Sequence, residues 1–147
     1  VVRLMLDKGD IDVNQAKQDG TTPLSMACQK AHVDVVRLLL DQPGIKINQA
    51  KKNGSTPLNT ACHFGSVDVV RLLLARKEIQ INQVNQDGVT PLYTACWMGH
   101  VGVVRLLLAR KEIKVNQTRP PRTTPLDVAI HFGHSQIADL LRRNGGR

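Results

Sequence analysis

"TPLNTACHFGSVDVVRLLL", residues 56–74, decides the fold, because the chain writes it four times. It returns as "TPLSMACQKAHVDVVRLLL" at 22–40, as "TPLYTACWMGHVGVVRLLL" at 90–108 and, loosened, as "TPLDVAIHFGHSQIADLL" at 124–141. The starts Thr22, Thr56, Thr90 and Thr124 are 34 residues apart each time. An Asn-Gln pair keeps the same step at Asn14, Asn48, Asn82 and Asn116. "VVRLLLARKEI" stands unchanged at 69–79 and 103–113, and the opening "VVRLML" lies one period before Val35. A period of this size marks an array of stacked supersecondary units.

Each unit reads as two short helices and a projecting loop. Thr-Pro starts the first helix: the Thr hydroxyl caps it, and Pro gives up an N–H that has no partner at the first helical position. That helix runs from about Leu58 to about Gly65, and Gly65, Gly99 and Gly133 suit its end, with Ala31 in that place in the first full unit. The second helix, around 67–76, carries a wide apolar face of Val67, Val69, Val70, Leu72, Leu73 and Leu74. Asp34 and Asp68 stand three residues before Arg37 and Arg71, within pairing reach on the outer surface. In "EIQINQVNQDGVTPL", residues 78–92, Ile79 and Ile81 alternate, and Asp87-Gly88 signals a tight turn, as do Asn53-Gly54 and Asp19-Gly20. These stretches are expected to form hairpin-like fingers. Helices this short do not survive alone, so the units must stack and bury each other's apolar faces.

The 147-residue chain is the size of one domain. Aromatic residues make up only 3%, so the core is expected to be aliphatic. No run of about 18 uncharged apolar residues exists to span a membrane, and no signal-peptide pattern is present. The chain opens on "VVRLMLDKGD", which reads as the middle of a unit and suggests an excised fragment. The three cysteines, Cys28, Cys62 and Cys96, are period-mates. An odd count argues against a disulfide framework and for a reducing, intracellular location, cytoplasmic or nuclear.

The stretches 19–40, 53–74, 87–108 and 124–141 resemble the ankyrin repeat family, over essentially the whole chain. The resemblance implies an all-α solenoid of stacked helix-turn-helix repeats with short β-hairpin-like fingers. The expected division of this single domain is a partial unit at 1–18, full repeats at 19–52, 53–86 and 87–120, and a C-terminal partial unit at 121–147. Three departures stand out. The period is 34 against the family's usual 33 or so. The His of the family's TPLH is replaced by Ser25, Asn59, Tyr93 and Asp127. In the family that His ties neighbouring loops; Asn59 and Asp127 are the replacements able to act as acceptors. Finally, the fourth finger reads "RPPR" at 119–122, with Arg122 in place of the turn Gly.

The resemblance also implies a non-catalytic module that binds a protein or peptide through its concave first-helix face and its fingertips. The variable first-helix pairs are Gln29-Lys30, His63-Phe64, Trp97-Met98 and His131-Phe132. Both Phe residues and the one Trp fall there, with Tyr93 one helical turn before Trp97. Ala61, Ala95 and Cys96 supply the packed side, which puts the aromatic row on the other. The fingertips vary in the same way: Lys17, Gln18 and Asp19; Lys51, Lys52 and Asn53; Asn85, Gln86 and Asp87; Arg119 and Arg122.

The formal charge of +8 lies mostly elsewhere, on Arg3, Arg37, Arg71 and Arg105 and on the pairs at 76–77, 110–111 and 142–143. That is the pattern of a solvated outer surface; binding of nucleic acid or an acidic partner there competes weakly, for want of base-stacking aromatics. Equivalent positions in stacked helices are about 8–10 Å apart, too far for the cysteines to cross-link or for His63 and His131 to share a metal ion. No cofactor, metal centre or catalytic constellation is expected. His32, His100 and His134 read as structural, and Asn14, Asn48, Asn82 and Asn116 as loop-locking. Two other readings compete with partner binding: a spacer inside a longer array, and end-to-end self-association through ends that lack obvious polar caps.

Overall fold

The computed structural model describes residues 11–147 and contains eight α-helices among them. They alternate as first and second helices of four units: α1 (Pro23–Gln29) and α2 (Val33–Leu40), α3 (Pro57–Phe64) and α4 (Val67–Leu74), α5 (Pro91–Met98) and α6 (Val101–Leu108), α7 (Pro125–His131) and α8 (Ser135–Arg143). First helices pack on first helices and second on second, so the chain is an all-α solenoid. The opening partial unit and the Arg3 rung fall on residues outside the described ones.

Every first helix starts as its sequence dictates. Thr22, Thr56, Thr90 and Thr124 accept, through Oγ1, the backbone N–H three residues on, each at 3.1 Å. Asp127 completes a capping box by accepting the Thr124 N–H at 2.9 Å. The core is aliphatic: Leu58, Leu73, Leu92, Leu107, Val70 and Val104 are fully buried. Burial of each such side chain contributes about 1.5–3 kcal/mol.

Stacking is held in register by the Asn-Gln sites. Asn82 Nδ2 donates to the Glu112 carbonyl at 2.8 Å, and its Oδ1 accepts the Lys114 N–H at 2.9 Å. Asn14, Asn48 and Asn116 make the same pair of bonds to the next loop along. The fingers are tight turns closed by one or two backbone bonds, such as Lys51 N–H to Ser55 O at 2.9 Å. Only the fourth carries an antiparallel bridge, between Arg119 and Thr123. Adjacent fingers are also bonded to each other: the Lys52 N–H donates to Asp19 O and the Gln86 N–H to Asn53 O, both at 3.0 Å. The corresponding donor in the fourth finger is Pro120, which has no N–H, so the Asp87 carbonyl lacks that partner.

The C-terminal unit is more polar than the sequence pattern suggested. Where α4 and α6 bury Leu74 and Leu108, α8 exposes Arg142, paired with Asp139 at 3.3 Å. Ser135 replaces Val67 and Val101. This second-helix face is polar, and Ile130 beside it is 52% exposed.

A second contact crosses the junctions. Gly65 and Gly99 end α3 and α5 in the left-handed region, with φ of 74° and 78°. Each also faces a His of the next unit: a Cβ on Gly65 would lie 2.5 Å from the His100 ring, and one on Gly99 would lie 2.7 Å from the His134 ring. His100 Nε2 donates to the His63 carbonyl at 2.9 Å and His134 Nε2 to that of Trp97 at 3.2 Å. In the first full unit Ala31 takes the Gly place at φ 55°, and the residue at the facing His position is Ser66. The methyl group and the small side chain occur together. Gly99→Ala is therefore expected to destabilise the chain by about 1–3 kcal/mol, from positive φ and the His134 contact combined. Adding His134→Ser should recover about 0.5 kcal/mol or more of that loss in a urea-denaturation double-mutant cycle. Additive losses would show that the two sites do not touch.

Candidate functional site

The first helices and the fingers enclose a groove of about 410 Å³. Burial along α5 shows how it is made. Pro91 through Cys96 are all buried beneath the finger end of the helix, and only Trp97 and Met98 emerge. α3 behaves alike, with Pro57 through Cys62 buried and His63 and Phe64 exposed, whereas α7 also exposes Asp127 and Ile130; the groove receives the ends of α1, α3 and α5. Nine of the residues singled out from sequence line it together: Gln29, His63, Phe64 and Trp97 from the helices, and Lys51, Asn53, Asn85, Asp87 and Arg119 from the fingers. Asn53, Asn85 and Asp87, named as fingertip residues, stand in its finger wall.

The aromatic row is exposed as expected, with Phe64 at 50%, Trp97 at 42% and Phe132 at 51%. Phe132 stands 6.5 Å from Trp97, ring centre to ring centre, across the repeat junction. His63 packs edge-on to Phe64 at 4.9 Å and His131 to Phe132 at 4.8 Å, so each His steadies its neighbour's ring. Met98, Lys30, His131 and Phe132 are exposed but do not line the groove. Lys52, Gln86 and Arg122 are exposed on the fingers, outside it. The Gln86 Nε2 group donates to the Lys52 carbonyl, which ties these two tips to each other.

Tyr93 is a correction. Placed with Trp97 on the exposed row, it is 4% exposed and belongs to the core. It shares a helical face with Trp97, but it sits in the first turn of α5, which packs between α3 and α7. Its period-mates Ser25 and Asn59 are buried too, while Asp127, its period-mate in the last first helix, is exposed. Asn59 carries over part of the role that the resemblance gives to His. Its Oδ1 accepts the Thr94 hydroxyl at 2.9 Å and its Nδ2 donates to the Val89 carbonyl at 3.4 Å, both in the next unit.

Asn59, Thr60, Val89 and Thr94 form the groove floor, and none of them was singled out from sequence as a site residue. Their positions vary between units as the helix-end pairs do: Asn59 aligns with Ser25, Tyr93 and Asp127, Thr60 and Thr94 with Met26 and Val128, and Val89 with Thr21, Ser55 and Thr123. That variation was the available signal, sharpest at Asn59, a polar residue in a position that stacking buries.

The outer surface carries the basic charge in solvated form. Arg37 and Arg71 lie 3.4 and 3.5 Å from Asp34 and Asp68, exposed pairs worth well under about 1 kcal/mol. Arg76 reaches Asp41 of the preceding unit at 2.7 Å. Gly102 stands where Asp34 and Asp68 do, so Arg105 has no such partner on its own helix. Among the described residues no helix is long and apolar enough to cross a membrane, and no cluster of His, Cys, Asp and Glu could hold a metal ion.

Cys28, Cys62 and Cys96 are free and buried. Burial pushes the thiols of Cys28 and Cys96 up to about 12, and that of Cys62 higher still. A thiol held neutral in the folded chain, but titrating near 9.0 when unfolded, makes the fold lose stability as pH rises from about 9 towards about 12. All three are expected to resist a thiol reagent at neutral pH in the native chain and to react fully in urea. Native-state labelling at the unfolded rate would contradict their burial. The two aromatic residues of α5 should separate as well. Tyr93→Ala is expected to cost about 3–5 kcal/mol in urea denaturation, and Trp97→Ala under about 1 kcal/mol.

No curated protein matches the chain. The family whose pattern matches is described as ankyrin repeats, in three copies, over residues 1–51 and 44–119. With the repeated caps, the paired helices and the stacked junctions, that match means that the chain belongs to the ankyrin repeat family.

Proposed function

We propose that the chain is a non-catalytic docking module that holds a protein or peptide in the groove between its first helices and its fingers. Ankyrin repeats are in general protein–protein interaction modules. The observation that carries the reading is the pair of half-exposed rings in the groove, Phe64 and Trp97, continued outside it by Phe132, on an otherwise aromatic-poor chain. Holding large apolar rings in water is unfavourable, and in partner surfaces such rings supply most of the binding energy. The framework beneath them is rigid: Asn59, the Asn ladder and the His rings fix the helix ends that present them. Preorganisation of this kind lowers the entropy lost on binding.

The buried thiols fit a reducing intracellular compartment, which is proposed as the place where the module works.

Binding partners recovered with the intact chain are expected to lose about tenfold or more in affinity to Trp97→Ala and to Phe64→Ala, with circular dichroism unchanged. Exposed Met98→Ala, outside the groove, should lose much less. Equal binding by wild type and Trp97→Ala would sink the groove as the docking surface.

A further inference from the structure

The groove carries charge only at chosen places. Lys51 and Arg119 line it, both half-buried, and neither has an ion-pair partner among the described residues. Exposed Lys30, Lys52 and Arg122 lie on the same helix ends and fingers. Asp87 is the one carboxylate in the lining. The Asp19 carboxylate, on the first finger, is turned into its own loop, accepting the Thr21 N–H at 2.9 Å and hydroxyl at 2.8 Å.

We infer that the groove takes an extended acidic peptide, with carboxylates near its two ends held by Lys51 and Arg119 and a bulky apolar side chain between them resting on Phe64 and Trp97. This rests on the groove being the docking surface and adds the chemistry of what docks there.

The spacing sets the length. Lys51 belongs to the finger leading into α3 and Arg119 to the finger leading into α7, two repeats away. At about 8–10 Å per repeat the two cations stand roughly 16–20 Å apart, and an extended chain at about 3.3 Å per residue covers that in five or six residues. Trp97, on α5, lies at the level between them.

The walls suit a peptide backbone. Asn53 and Asn85 each use Oδ1 inside their own turn, which leaves Nδ2 to donate outward. The Asp87 carbonyl, left without a neighbour's N–H by Pro120, can accept one from a bound chain. A nucleic-acid strand fits less well. Its unbroken row of phosphates would bring a charge against Asp87, where a peptide can place an uncharged residue, and only two cations line the groove.

The test is selection of phage-displayed random peptides of about 12 residues on the intact chain, with counter-selection on Trp97→Ala. The expected winners carry Asp or Glu on both sides of a bulky apolar residue. A dye-labelled synthetic winner should bind about tenfold more weakly to Lys51→Ala and to Arg119→Ala, keep most of its affinity for Lys51→Arg, and weaken as salt rises from about 0.05 to about 0.5 M. Winners that depend on Trp97 but are neutral or basic, or are indifferent to Lys51 and Arg119, would overturn the acidic assignment while leaving the groove as the docking surface. Finding no Trp97-dependent winner would overturn both. An oligo-dT strand of similar length that displaces the peptide and binds more tightly in the same buffer would also overturn it, in favour of nucleic acid.

Discussion

One asparagine amide spans each junction between repeats. Asn14, Asn48, Asn82 and Asn116 each give a donor and an acceptor to the loop of the following unit. Aliphatic burial supplies most of the stabilisation, but Leu and Val faces alone would tolerate sliding. A two-point hydrogen bond does not. It sets each unit at one height and one rotation against the next. The fingers line up beside each other, the first-helix ends form a row, and the groove exists because those two rows keep a constant separation.

The groove is thus a by-product of repetition, and its chemistry comes from where repetition fails. Thr60, Thr94 and Val89 also line it, at positions that hold Met26 and Val128, and Thr21, Ser55 and Thr123, in other units. Exceptions supply the character: Trp97 and Phe64 where the first repeat has Gln29 and Lys30, Arg119 and Pro120 where earlier fingers have Lys51 and Lys52, and Gly102 where a carboxylate would pair with Arg105. Most buried positions stay aliphatic or small because neighbours on both sides constrain them, with Asn59 and Tyr93 as exceptions. Helix ends and finger tips are bounded on one side by solvent, and there the residue type is open to selection by a partner.

Much of this was legible in the sequence because each device has a local signature. Thr-Pro marked every first-helix start, and the Asn-Gln step marked the locks. Nine groove residues, on the helix ends and the fingertips, followed from variation between units. Tyr93 was misplaced because helical spacing reports the face of a residue and not its height along the helix or what packs beside it. Tyr93 is covered because its helix packs between two others, while Asp127, at the same height in the last first helix, is exposed. The floor residues were missed for a related reason: Asn59 and Thr94 lie 35 positions apart, and their bond exists only once two units are stacked. The polar face of α8 could have been read from Arg142 and Ser135, had the last unit been aligned on the others position by position.

The Gly–His contact at the junctions sets a rule of succession. A unit that begins its second helix with His can follow only a unit whose first helix ends in Gly; Ala31 is followed by Ser66, and Gly65 and Gly99 by His100 and His134. Near-identical units are therefore not interchangeable. Excising residues 53–86 would keep the period, the caps and the Asn ladder, yet it would bring the Ala31 methyl group against the His100 ring. The array has a reading order, written in pairs of residues that belong to different repeats.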